Sequence, residues 1–161
     1  PSQGSYLIPG LSAAGGTVAG AKLVAWCVDA DNSLLESIDD GLVSLAHANV
    51  GMTVRGADRQ WHTIVKLALG PPHDGQHQFL EIRCVDGRSI VLTGDHIIAG
   101  KPAEKWCVGD VLDGSSVSSI TSVAERRAGD VTLEGNVDAR INGFPVASMY
   151  PIKLAELLVT A

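Results

Sequence analysis

Aromatic side chains are scarce in this chain of 161 residues: three Trp, two Tyr and two Phe, 4% of the whole. A core built on ring packing is excluded, and burial falls to aliphatic side chains. Positive charge is scarce as well. Twelve Lys and Arg stand against eighteen Asp and Glu, a formal charge of -6 at pH 7, and no basic run is longer than Arg126-Arg127. A phosphate backbone would find no electrostatic footprint, so nucleic acid is not expected as a partner. Long apolar runs are missing too. The best candidate, Leu11 to Ala25, is broken by Ser12, Thr17 and Lys22 and diluted by three glycines, so no membrane span is expected. Cys27, Cys84 and Cys107 cannot all pair within one chain and show no CxxC spacing. At least one thiol stays free, and neither a metal nor a cofactor is expected. The chain opens at Pro1 without a methionine or a charged n-region. It reads as an excised or processed fragment, and its compartment stays open.

What is present is β-forming. Val, Ile and Thr together number 34, which favours pleated surfaces, and the length suits one domain. Residues 1–26 are dominated by Gly, Ala and Ser and read as a flanking linker with an entering strand from Ala21. From Cys27 to the end, short apolar runs are broken by Asp39-Asp40-Gly41, Gly70-Pro71-Pro72, Asp86-Gly87, Asp113-Gly114, Gly135-Asn136 and Asn142-Gly143. That spacing predicts an all-β domain of short strands over 27–161. Phe79 to Cys84, Asp86-Gly87 and Arg88 to Thr93 predict a hairpin with a primed turn. Leu154, Leu157 and Leu158 carry a helical spacing after Pro151. A weak internal echo pairs Asp40-Gly41 and Val50-Gly51-Met52-Thr53-Val54 with Asp86-Gly87 and Val108-Gly109-Asp110-Val111-Leu112, suggesting two related β units.

Chemistry-bearing residues are few. Cys27 follows the run Leu23 to Trp26 directly, and Thr93-Gly94-Asp95-His96 places a hydroxyl and an imidazole three residues apart at a strand end. Each signal alone is weak, since a single cysteine is more often a small buried hydrophobe. Other groups have simpler readings. His73 and His77, with Cys84 downstream, fit a solvated loop better than zinc. His47 and His62 read as surface residues, Trp61 and Trp106 as packing, and Asp29 and Asp31 as turn formers rather than a calcium site or acid pair.

Taken in order, the pieces resemble the Hint domain of the Hedgehog and intein autoprocessing superfamily. The opening block runs from Cys27 through Leu34-Leu35-Glu36, Asp40-Gly41 and Val50 to Val54. Gly87 to His96 is similar to the family's Thr-x-x-His strand. Trp106 to Leu112 resembles its second Gly-Asp-x-Val turn. Gly129-Asp130-Val131-Thr132-Leu133 and Ile141 to Tyr150 look like Hedgehog-type closing strands. The resemblance implies an all-β fold with pseudo-twofold character, closer to the Hedgehog type than to a splicing intein, with Cys27, Thr93 and His96 as catalytic residues.

The chemistry of the residues agrees. The Cys27 thiol is joined to the carbonyl of Trp26, so attack on it is intramolecular, with an effective molarity of about 10⁵ to 10⁸ M. The Trp26-Cys27 peptide would become a thioester, and water or another nucleophile would release the flank. His96 is assigned the proton delivered to the departing Cys27 nitrogen, and Thr93 its positioning. Departures set the expected outcome. An intein closes on a His-Asn pair, and none closes this chain, so splicing is not expected. Hedgehog domains place an activating Asp before the Thr-x-x-His strand. Val65 to Gly70 holds no carboxylate, which leaves Asp74 as candidate second-step base. Met149 stands where some Hedgehog domains carry a cysteine, and eleven residues follow Tyr150, so sterol transfer is not expected. Bulky Trp26 is an unusual neighbour for the nucleophile. Two rivals stay open: a Hint-fold spacer without processing activity, and a cysteine hydrolase acting in trans through Cys27 and His96.

Overall fold

The computed structural model describes residues 27–71 and 78–148. Its strands are β1 Val28–Asp29, β2 Leu34–Ser37, β3 Gly41–Ser44, β4 Thr53–Arg55, β5 Trp61–Leu69, β6 Phe79–Cys84 and β7 Ser89–Thr93. They continue with β8 Ile97–Ile98, β9 Lys101–Pro102, β10 Val111–Leu112, β11 Ser115–Val123, β12 Ala128–Leu133, β13 Ala139–Ile141 and β14 Phe144–Val146. Three 3-10 turns, Leu45–His47, Ala103–Lys105 and Glu134–Asn136, complete the regular structure, and no α-helix occurs among the described residues. The domain is all-β, as its turn spacing and β-branched content predict. The linker and entering strand expected at 1–26 and the helical turn expected after Pro151 lie outside the described residues.

Ten strands follow the order β10-β11-β6-β7-β1-β12-β5-β4-β2-β3, and four more the order β13-β14-β8-β9. Alternation sorts the central strands into two faces. Val28 and Ala30, Ile82, Ile90 and Leu92, and Val131 and Leu133 enter the main core. Cys27, Phe79, Ala128 and Ala68 form a second, smaller cluster, with Val91 against it. Every residue of β12 is buried, because it lies between β1 and β5 with both faces covered. Fully buried aliphatic side chains such as Leu35, Leu45, Ile64 and Leu92 each contribute about 1.5–3 kcal/mol of burial. Gly129 permits a close approach between β12 and the core. A Cβ there would stand 2.9 Å from Leu45 Cδ2 and 3.0 Å from Ala30 Cβ.

The β6–β7 hairpin forms where the alternation places it, with Arg83 opposite Ser89. Its connection departs from the expected primed turn. Cys84 and Arg88 close a three-residue loop, with Gly87 N–H on Cys84 O at 3.1 Å and Cys84 N–H on Arg88 O at 2.9 Å. Only Gly87 takes a positive φ there, 95°, whereas a type I′ turn needs two such residues. The loop is held toward β11, with Val85 N–H on Ser116 O at 2.9 Å and Asp86 N–H on Ser115 Oγ at 3.2 Å. Two-residue primed turns occur instead at Asp113-Gly114 (φ 47° and 86°) and Asn142-Gly143 (φ 51° and 84°), joining β10 to β11 and β13 to β14.

The internal echo is real, with one correction. Ala48 N–H bonds Leu45 O, Met52 N–H bonds Asn49 O, and Ile64 N–H bonds Met52 O. In the second unit Trp106 N–H bonds Ala103 O, Asp110 N–H bonds Cys107 O, and Val117 N–H bonds Asp110 O. The matching bonds set Gly51 in register with Gly109, as the sequence pairs them. The hairpin preceding the first turn is β2–β3, with Gly41, and the one preceding the second is β8–β9, with Gly100. Counting back from the two 3-10 turns, the counterpart of Gly41 (φ 69°) is therefore Ala99 (φ 49°), not Gly87. The Asp-Gly dipeptide misleads because Ala99-Gly100 makes the equivalent turn without an aspartate.

Candidate functional site

Cys27 immediately precedes β1, which lies between β7 and β12. Val28 pairs Leu92 on one side and Gly129 on the other. Continued by one residue, this antiparallel register sets Cys27 opposite Thr93 and Asp130, with the three side chains on one face. Thr93 N–H donates to Cys27 O at 2.8 Å. In a regular ladder the Cys27 N–H would return to Thr93 O, but that carbonyl accepts His96 N–H at 3.1 Å as the chain turns away. The Thr93 hydroxyl substitutes for it. Cys27 N–H donates to Thr93 Oγ1 at 3.0 Å, and the hydroxyl donates onward to Cys27 O at 3.3 Å. Cys27 and Thr93 are both buried.

His96 is fully buried, and its Nε2 stands 2.6 Å from Ala147 O. Because a carbonyl only accepts, Nε2 carries the hydrogen in the neutral ring and Nδ1 is the basic nitrogen. Burial pushes the imidazole below its ordinary value of 6.5. The Ala147 carbonyl, the nearby Cys27 backbone and the Asp95 charge act in the opposite direction, favouring the protonated ring. At neutral pH the ring is uncharged and set against the Cys27 backbone. The structure thus brings together Cys27, Thr93 and His96, the three residues selected from sequence.

A fourth group had no role in the sequence reading. Asp130, 4% exposed on β12, accepts a hydrogen bond from Ser148 Oγ at 3.1 Å, and Ser148 Oγ lies 2.6 Å from Thr132 Oγ1. The available signal was a carboxylate inside Ala128 to Leu133, a run otherwise free of charge, since an aspartate is rarely buried without a purpose.

The remaining candidates lie elsewhere. Asp74, His73, His77 and Trp26, and with Trp26 the carbonyl side of the Trp26-Cys27 bond, lie outside the described residues. Asp29 accepts from Asp31 N–H and Asn32 N–H through Oδ1, and from Asn32 Nδ2 (2.8 Å) and Arg126 Nε (3.1 Å) through Oδ2. It is a turn former with an ion pair. His47 Nδ1 meets Ser44 Oγ at an exposed position, and His62, half-buried rather than on the surface as expected, meets Asp58 through Nε2. Trp61 lies under Arg55, and Trp106 Nε1 donates to the carbonyls of Ile98 and Lys101. Cys84 sits in the main core, its thiol pushed up by burial. Among the described residues no three His, Cys, Asp or Glu side chains converge as a metal-ligand set, and no helix is long and apolar enough to cross a membrane.

Known structures share this architecture. The gp41-1 intein matches with a TM-score of 0.62 at 14% identity, over 78% of this chain and 99% of its own. The DnaB intein from Synechocystis sp. PCC 6803 gives 0.62 at 14% identity, over 77% and 99%. The MchDnaB-1 intein gives 0.58 at 19% identity, over 74% and 98%. No family model and no curated protein matches the sequence.

Proposed function

We propose that this Hint-fold chain is a self-processing domain that converts the Trp26-Cys27 peptide bond to a thioester and releases the segment before Cys27. The observation that carries the reading is the environment of the Cys27 amide nitrogen. That nitrogen would be the leaving group, and it is bonded to a buried threonine hydroxyl at 3.0 Å with a buried imidazole against the same residue's backbone. A purely structural strand start would give this N–H an ordinary ladder carbonyl.

The steps follow from the protonation states. The uncharged His96 accepts the thiol proton of Cys27 on Nδ1, and the thiolate attacks the Trp26 carbonyl carbon to form a tetrahedral oxyanion. As the intermediate collapses, the C–N bond breaks and His96 returns the proton to the Cys27 nitrogen. The products are a Trp26 thioester and a free α-amine on Cys27. Thr93 holds that nitrogen throughout, and the Asp130 carboxylate, across the ladder from Cys27, stabilises the positive charge on the imidazolium until its proton passes to the leaving nitrogen. Water or another nucleophile next adds to the thioester carbonyl, freeing residues 1–26 and regenerating the thiol. Release by a nucleophile, rather than splicing, rests on the resemblance of Ile141 to Tyr150 to Hedgehog-type closing strands; Asp74 is the candidate base for that second attack.

The test is mass spectrometry of the purified chain incubated with dithiothreitol or hydroxylamine. Fragments of 26 and 135 residues support processing. An unchanged mass supports a spacer, and cleavage of an added peptide alone supports a hydrolase acting in trans.

A further inference from the structure

Two ionisable groups of the site come from different elements, His96 from the β7–β8 turn and Asp130 from β12, yet consecutive residues of one segment grip both. Ala147 presents its carbonyl to His96 Nε2 at 2.6 Å, and Ser148 donates its hydroxyl to Asp130 Oδ2 at 3.1 Å. With the Ser148 hydrogen directed at the carboxylate, the 2.6 Å contact to Thr132 Oγ1 must have the threonine as donor. The result is a one-way chain, Thr132 O–H to Ser148 O–H to Asp130 carboxylate, in which each bond polarises the next. Asp130 and Thr132 share a face of β12, two residues apart, so the serine hydroxyl bridges adjacent rungs of the sheet just beyond β14.

We infer that Ser148 is a positioning residue: backed by Thr132, it fixes the Asp130 carboxylate in its ionised form beside Cys27, while its neighbour Ala147 fixes the tautomer of His96. The 147–148 segment is then the element that couples the two charges of the reaction. This inference rests on the self-processing reading. It goes beyond that reading by assigning Ser148 and Thr132, which touch no reacting atom, a role in the rate and its pH dependence.

The test compares Ser148→Ala, Ser148→Thr and Thr132→Val with the parent chain in hydroxylamine-induced cleavage across pH 5 to 9. Ser148→Ala should be about tenfold slower or more at neutral pH, as expected for losing a hydrogen bond to a charged group. The acid limb of its rate profile should move to higher pH, by roughly one unit for one lost donor to a carboxylate. Ser148→Thr should restore both, and Thr132→Val should fall between. A uniform loss with an unmoved limb would mean a structural role only and overturns the inference, as does a normal rate in Ser148→Ala. If the parent chain does not cleave, the processing reading fails, and the relay is judged separately. An NMR pH titration of the Asp130 side-chain carboxyl carbon should then show a higher midpoint in folded Ser148→Ala, and an unchanged midpoint refutes the relay.

Discussion

Thr93→Val is the most informative single change, because valine keeps the shape of threonine and removes only the hydroxyl. In the native site that hydroxyl accepts Cys27 N–H at 3.0 Å and donates to Cys27 O at 3.3 Å. The carbonyl keeps the Thr93 N–H at 2.8 Å, so its loss is partial. The amide N–H fares worse, since the ladder carbonyl that would receive it is occupied by His96 N–H. Thr93 is 4% exposed and Cys27 fully buried, which leaves bulk water no direct access. Leaving a buried donor unsatisfied costs about 1–3 kcal/mol, partly offset by the added apolar methyl. Urea denaturation should therefore show a loss of about 1–2 kcal/mol with an unchanged m-value. Hydroxylamine-induced cleavage should slow by about tenfold or more, because the leaving nitrogen is no longer held. Thr93→Ser, which restores the hydroxyl, should recover most of the rate. A Thr93→Val variant with parental stability and parental rate would refute the claim that this hydrogen bond organises the site.

Other consequences can be measured independently. His96 is held below 6.5 in the folded state, so below that pH the unfolded chain takes up a proton that the native chain refuses. Its contribution to stability should be constant above about pH 6.5 and fall as pH drops toward the folded value. Urea midpoints from pH 8 to 5 should show that slope, and His96→Gln should flatten it. Gly129→Ala should cost about 1–3 kcal/mol in thermal or urea unfolding, because its methyl would meet Leu45 Cδ2 at 2.9 Å. Pairing it with Leu45→Ala, which vacates that space, should give a double-mutant penalty smaller than the sum of the singles.

The strands were legible because β-branched residues and turn dipeptides act locally, and Cys27, Thr93 and His96, which the fold places together, were singled out because their order resembles a family pattern. Failures came where a residue's conformation depends on distant partners. Asp86-Gly87 has the composition of a primed turn, yet bonds from Val85 and Asp86 to β11 hold it as a wider loop. Asp113-Gly114 and Asn142-Gly143 adopt the primed form. Arg88 and Arg140 help fix the second of these through the Gly143 carbonyl at 2.7 and 2.8 Å, and Asn142 side-chain bonds reach Leu34 and Ser89. Asp130 was missed because its meaning lies in cross-strand register: nothing near it in the chain announces that Cys27 stands opposite. Ser148 is the same kind of case, since its hydroxyl finds Asp130 eighteen residues away in sequence.

The central claim is a thioester at Trp26, and trapping it is the most direct measurement. Hydroxylamine attacks a thioester to leave a hydroxamic acid on the acyl fragment and a free thiol on the other. Intact-mass and fragmentation spectra of the treated chain should locate the hydroxamate on the C-terminus of residues 1–26, with Cys27 as the new N-terminus of the remainder. Cys27→Ala, which removes the attacking sulfur and only one heavy atom, should fold and give no hydroxamate. A hydroxamate at any other residue, or the same cleavage in folded Cys27→Ala, would contradict the account.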